Sequence, residues 1–181
     1  MGHKYSRDDM VAAIANVTLR DGVSKLTFRN VAEELGTSDR MVVYYFPAKE
    51  DLVLAAVAAL SSRMQLLLEE AFGNDRRSPD ELIESAWPVL KKKNADRIFR
   101  VFLELVGLSV SGIGPYDRIT HNILDEWADW LAERVDAPNQ PERRRLALGV
   151  IARVDGLLLL RHALGPDAAD EAARAIRMKK V

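Results

Sequence analysis

The chain of 181 residues contains no cysteine, which closes off disulfide frameworks and thiolate metal sites. That absence fits a reducing compartment, so a cytoplasmic location is expected. Net charge is nearly absent as well: 26 Lys and Arg face 27 Asp and Glu, a formal −1 at pH 7. No global positive field would draw such a protein onto nucleic acid. Residues 1–50 are balanced in the same way, with seven basic groups (Lys4, Arg7, Arg20, Lys25, Arg29, Arg40, Lys49) and seven acidic ones (Asp8, Asp9, Asp21, Glu33, Glu34, Asp39, Glu50). An anionic partner must therefore be met by the placement of charges. Long apolar runs are missing too. The longest, Leu52–Leu60, has nine residues, against the ~20 of a membrane-crossing helix. Met1–Arg7 is polar and no apolar segment follows it, so no secretory leader is expected. His3, His121 and His162 lack metal-ligand spacing. With no G-x-S-x-G elbow and no glycine-rich phosphate loop, neither catalysis nor a cofactor is expected.

What is present is helical periodicity, punctuated by glycine and proline. After a loose arm, Met1–Tyr5, Ser6 and Asp9 form a capping-box pair for a helix from Arg7 to about Arg20. Its inward side carries Met10, Ala13, Ile14, Val17 and Thr18, and Asp21-Gly22 ends it. Thr27 caps a short helix, Phe28–Leu35, whose apolar stripe is Phe28, Val31, Ala32 and Leu35. Gly36 supplies a left-handed stop. Thr37 or Ser38 then caps a second short helix, Asp39–Tyr45, closed by Pro47. Two short helices joined by a tight turn containing glycine make a helix-turn-helix, whose second helix enters the DNA major groove.

In full, Leu26–Leu52 reads LTFRNVAEELGTSDRMVVYYFPAKEDL. It resembles the DNA-binding signature of the tetracycline-repressor (TetR) family of bacterial regulators, T-x-x-x-I-A-x-x-x-G-V-S-x-x-x-L-Y-x-Y-F-x-x-K-x-x-L. Thr27, Val31, Ala32, Gly36, Ser38, Val42, Tyr45, Phe46, Lys49 and Leu52 fall in register with it. Val43 stands where the family commonly has a DNA-touching Tyr, and Met41 where it has Thr or another small residue. The resemblance implies double-stranded operator DNA as a partner. Arg40, at the start of the second helix, is placed to reach a base edge, most often guanine O6 and N7. Asp39 either accepts from cytosine or faces the helix dipole. Tyr44 reaches a thymine methyl or a phosphate. Thr27, Arg29, Ser38, Tyr45 and Lys49, with Thr37 beside them and Lys25 and Lys4 as weaker candidates, fall where phosphates pass.

The rest of the chain predicts an all-α protein of about nine helices. Residues 1–50 form the helix-turn-helix domain and residues 51–181 a helical ligand-binding and dimerisation domain. A long rod runs from Ala48 to about Phe72. Ser78-Pro79-Asp80-Glu81 starts a helix that Pro88 should kink. Ala95–Ser111 is apolar nearly all round and predicts a helix buried on most sides. Helices over Tyr116–Val135, Pro141–Leu164 and Asp167–Lys179 follow. Trp87, Phe99, Phe102, Leu103, Glu104 and Trp127 are the candidate lining for an unidentified small effector. Plain core packing, with Glu104 paired to Arg100, is the competing explanation.

Leu146–Leu160 carries apolar groups on two faces, one with Leu148, Ile151 and Leu158 for a partner. Ala168, Ala172 and Ile176 make a small-residue face on the last helix. Val154–Arg161, VDGLLLLR, also resembles the dimer helix of many TetR-type regulators, so a homodimer is expected. Two functions follow from this reading. One is a ligand-responsive regulator, most often a repressor in this family. The other is an all-α binder of small molecules or lipids that has lost DNA reading, which the departures at Met41 and Val43 motivate.

Overall fold

A computed structural model describes residues 5–177. Among these residues there are nine helices and no strand. They are α1 Arg7–Asp21, α2 Phe28–Leu35, α3 Asp39–Tyr45, α4 Lys49–Phe72, α5 Pro79–Leu90, α6 Lys93–Val110, α7 Tyr116–Ala132, α8 Gln140–Leu164 and α9 Pro166–Arg177. Lys4, a candidate phosphate contact, and Met178 and Lys179, the expected end of the last helix, lie outside the described residues.

Local chemistry accounts for most of the boundaries. The Ser6 hydroxyl accepts from Asp9 N–H at 3.1 Å while the Asp9 carboxylate accepts from Ser6 N–H at 2.8 Å, so two orphan donors at the start of α1 are satisfied. Ser78 and Glu81 repeat the device on α5, which has Pro79 in its first turn. Thr27 caps α2 by accepting from Asn30 N–H at 3.1 Å. Gly36 ends α2 at φ 65°, ψ 42°, a left-handed conformation that side chains with a Cβ disfavour. Ser38 occupies the N-cap of α3 without a side-chain cap bond. α5 passes through Pro88 and ends two residues later at Leu90.

The chain forms two compact units. Among the described residues, the first comprises 5–66 and 97–123 and the second 67–96 and 124–177. Packing therefore groups most of α6 and the first half of α7 with the N-terminal helices, across the boundary expected at residue 50.

In the first unit α1, α2 and α3 pack on one another around Met10, Ile14, Val17, Val31, Ala32, Val42 and Phe46, all buried. Thr18 is buried too, and its hydroxyl donates back to the Ile14 carbonyl at 2.8 Å. In α4, Leu52, Val53, Ala56, Leu60, Met64, Leu68 and Phe72 are buried, an i, i+4 stripe. Its 24 residues and apolar composition would satisfy the length of a membrane span. The stripe, with Lys49, Glu50, Asp51, Arg63, Glu69 and Glu70 on the same helix, is the pattern of a core helix covered on one side.

α6 departs from expectation. Only Ala95, Phe99, Val101 and Leu105 are buried, while Phe102, Leu103, Val106 and Leu108 remain half-exposed. The helix is amphipathic, because its polar groups Arg100 and Glu104 have structural partners of their own, described below.

In the second unit α8 packs against both α5 and α9. Leu82, Ile83, Ala86, Trp87, Ala147, Val150, Leu157, Leu158, Ala169 and Ala173 are buried there. Arg161 links the helices by donating to Asp96 at 3.0 Å and to the Lys91 carbonyl at 3.1 Å. Arg144 of α8 pairs with Asp125 and Asp129 of α7.

Candidate nucleic-acid interface

The outer face of α3 carries Asp39, Arg40, Val43 and Tyr44, all exposed, while Val42 of the same helix is buried. A seven-residue helix has room for one inward stripe and one outward one. Val42 therefore anchors the helix, and its neighbours are left to meet whatever docks there. Tyr44 is 67% exposed and Val43 40%. The rings of Tyr44 and Tyr45 meet edge to face at 5.2 Å between centroids.

The cations of the N-terminal helices and turns differ in their partners. Arg29 pairs with Glu33 one turn on at 2.8 Å, and Arg20 with both Asp21 and Glu34. Those guanidiniums are largely neutralised by carboxylates. Lys25, Arg40 and Lys49 are exposed and have no ion pair among the described residues. Arg40 in particular does not fold back on Asp39, and Asp39 is left at the N-terminus of α3, where the helix dipole favours it. Placement thus separates three available cations from an otherwise balanced set.

Two other predicted positions are partly engaged. The Tyr45 hydroxyl donates to the Tyr5 carbonyl at 3.0 Å, so it ties the N-terminal segment to α3. The Thr27 oxygen is the cap acceptor of α2, which leaves its proton for an outside acceptor. Ser38 is exposed and Thr37 half-buried. Below the interface, the Arg7 guanidinium lies over the Phe46 ring at 5.3 Å.

Glu104 is engaged in a way that neither expectation described. Its Oε2 accepts from Val23 N–H at 2.8 Å, and its Oε1 from Ser24 N–H at 2.9 Å and the Ser24 hydroxyl at 2.6 Å. Burial opposes its ionisation, yet the donors of Ser24 and Val23, with Arg100 nearby, hold its carboxyl below the usual range. Both oxygens are committed to the turn between α1 and α2, so Glu104 is withdrawn from the effector lining. Arg100 donates to the Leu19 carbonyl at 3.1 Å. No sequence signal pointed to this contact, which spans 80 residues.

The other predicted lining residues fall in both units. Phe99, Phe102 and Leu103 belong to the first and Trp87 and Trp127 to the second. Phe99 and Trp87 are buried. Phe99 stacks obliquely on Phe102 at 5.6 Å, and Trp127 meets Trp130 edge-on at 5.1 Å.

Sequence comparison agrees with this geometry. The family model of bacterial regulatory proteins of the tetR family matches residues 10–56, the span of α1–α3 and the start of α4. Residues 10–56 thus carry a tetR-type DNA-binding segment. No curated protein matches the chain in sequence. Among solved structures, the chain is similar to a putative TetR-family transcriptional regulator from Rhodococcus sp., with TM-score 0.74, 19% identity, and 94% of this chain and 96% of that one covered. It is similar to a transcriptional regulator from Rhodococcus sp. Rha1, with TM-score 0.70, 23% identity, and 93% and 92% covered. A putative transcriptional regulator from Saccharomonospora viridis, solved in complex with choline, aligns with TM-score 0.66 and 19% identity over 94% and 93% of the chains. These likenesses extend the TetR fold over nearly the whole chain.

On α8 the structure changes the composition of the face predicted for a partner. Leu158 is 1% exposed and belongs to the protomer's own core, which removes it from that face. Leu148 and Leu159 are 49% and 52% exposed, and Ile151 is half-buried. Leu159, absent from the predicted set, is exposed where Leu158 is not: one residue is about 100° of helix, enough to change sides. On α9, Ala169 and Ala173 face inward, with Ala168, Ala172 and Ile176 half-buried beside them.

Proposed function

We propose that this chain is a homodimeric, ligand-responsive repressor of the TetR type that reads a palindromic operator with α3. The observation that carries the reading is the unpaired, exposed Arg40 on the outer face of α3, inside the stretch that matches the family. Arg40 reads a base edge, with Tyr44 beside it, while Lys25 and Lys49 contact phosphates together with Thr27, Thr37 and Ser38. Two copies pair through α8 and α9, with Leu148, Ile151 and Leu159 and the flank of Ala168, Ala172 and Ile176. Pairing sets two reading helices about 34–36 Å apart, the spacing of successive major grooves on one side of the duplex. The effector is a small apolar or amphipathic molecule in contact with the half-exposed Phe102 and Leu103. Likeness to a regulator in complex with choline supports a small organic effector. The protein works in the cytoplasm.

The test is selection of duplexes from a random DNA pool, followed by a salt titration of the enriched sequence. A repressor of this kind enriches a palindrome, and its affinity falls steeply with salt as counterions are released. The balanced charge of residues 1–50 favours a second reading, a ligand binder without DNA recognition. That reading gains if no sequence is enriched. An effector carried through purification and identified by mass spectrometry tests the switch: its affinity must fall on operator binding by the factor by which it weakens DNA.

A further inference from the structure

We infer that Glu104 is a positioning residue for DNA binding: from α6 it clasps the α1–α2 turn and thereby fixes the angle at which α2 and α3 are presented. The inference rests on the DNA-reading function proposed above.

The clasp has two matched halves. On one side the carboxylate receives three donors from Val23 and Ser24. Hydrogen bonds to an ionised acceptor are shorter and about twice as strong as neutral ones. On the other side Gly22 makes room for it. Gly22 has φ +90°, and a Cβ there would stand 2.5 Å from Glu104 Oε2, well inside contact distance. A residue larger than glycine is strained there by conformation, and its Cβ would have to displace the carboxylate from the turn.

One turn earlier on α6, Arg100 donates to the Leu19 carbonyl, in the last turn of α1, which ends at Asp21. Carbonyls there lack helical partners and carry the negative end of the dipole. Arg100 and Glu104, at i and i+4, therefore hold the end of α1 and the turn after it, each with the charge its partner requires.

The turn that they hold is stiff. Val23 and Leu26 are fully buried, and Leu26 N–H donates to the Val23 carbonyl at 3.1 Å. The Asn30 amide donates to the Lys25 carbonyl at 2.9 Å, and Thr27 caps α2 directly after. A stiff link transmits a tilt, where a flexible one would absorb it. Moving the turn relative to α6 therefore reorients α2, and with it α3, against which α2 packs.

The test compares Glu104→Gln with wild type on the enriched duplex, at a temperature where circular dichroism shows both fully folded. Glu104→Gln keeps the shape but loses the charge and sets an amide against a backbone N–H. The expected result is DNA binding weaker by about 5–150-fold, the usual range of coupling between sites, with unchanged base preference and unchanged salt slope. A lost phosphate contact would instead lower the slope by about one. Should Glu104→Gln fail to fold, Ser24→Ala, which removes a single bond from an exposed residue, is expected to weaken DNA a few-fold with the same unchanged slope. Linkage adds an independent readout: operator DNA should slow hydrogen exchange at the Val23 and Ser24 amides of the wild type. Equal DNA affinity in folded wild type and variant, or exchange at both amides unaffected by DNA, overturns the inference. Failure of the wild type to enrich any sequence instead overturns the DNA-reading function beneath it.

Discussion

Trp87 of α5 donates its indole N–H to Asp170 of α9 at 2.7 Å, and Lys91 reaches the same carboxylate at 3.1 Å. The two donors hold the Asp170 carboxyl below the usual carboxylate range. A tryptophan predicted to line an effector site is thus a buried tie between helices. Trp87→Phe keeps most of the ring and loses the bond, leaving Asp170 its Lys91 partner. The expected cost is about 1–2 kcal/mol of folding stability, measured by urea denaturation, with DNA affinity unchanged. A stability loss near zero would mean that the indole bond contributes nothing net.

Arg40→Ala and Lys49→Ala should fail in different ways. The first should relax specificity at one base position per half-site by about 1–3 kcal/mol. The second should weaken all duplexes alike and reduce the salt slope by about one. Single-base variants of the enriched duplex decide the matter: wild-type ranking retained by Arg40→Ala would remove Arg40 from base reading.

Leu158 and Leu159 are adjacent, yet the same substitution should have opposite consequences. Leu158→Glu drives a carboxylate into the protomer's core and should prevent folding. Leu159→Glu places the charge on the exposed face of α8 and should give a folded monomer. Sedimentation and circular dichroism separate the two outcomes. A folded dimer of Leu159→Glu would move the pairing face elsewhere.

Asp155 on α8 should make stability depend on pH. Burial raises its carboxyl from 3.8 to about 6. Between those values the folded chain holds the proton more tightly than the unfolded chain, so stability rises as pH falls from about 6 to about 4. Above pH 6 the buried charge costs about 2–3 kcal/mol. Asp155→Asn should recover that amount at pH 7.5 and flatten the profile between pH 4 and 6. Urea denaturation across this range checks it; identical profiles for both proteins would refute the assignment.

Read alone, the sequence carried the helices and the reading unit, because those depend on neighbours three or four residues away. Ser6 with Asp9, Thr27 with Asn30, Ser78 with Glu81 and the left-handed Gly36 are local arrangements that spacing announces. The exposure of Arg40 beside the buried Val42 follows from the same periodicity. Tertiary structure decided what depended on distant partners or on a rotation of one residue. Glu104 looked like a lone acid on an apolar helix, and only folding brings to it the turn 80 residues earlier. The inward side of α8 took Leu158 and left Leu159 outside, although both are leucines in an unbroken run. Side chains of equal hydrophobicity give periodicity nothing to choose between, so the contacts of α5 and α9 with α8 made that choice. Arg29 and Arg40 are likewise alike in sequence terms. The carboxylate of Glu33 one helical turn away neutralises the first, and none among the described residues reaches the second.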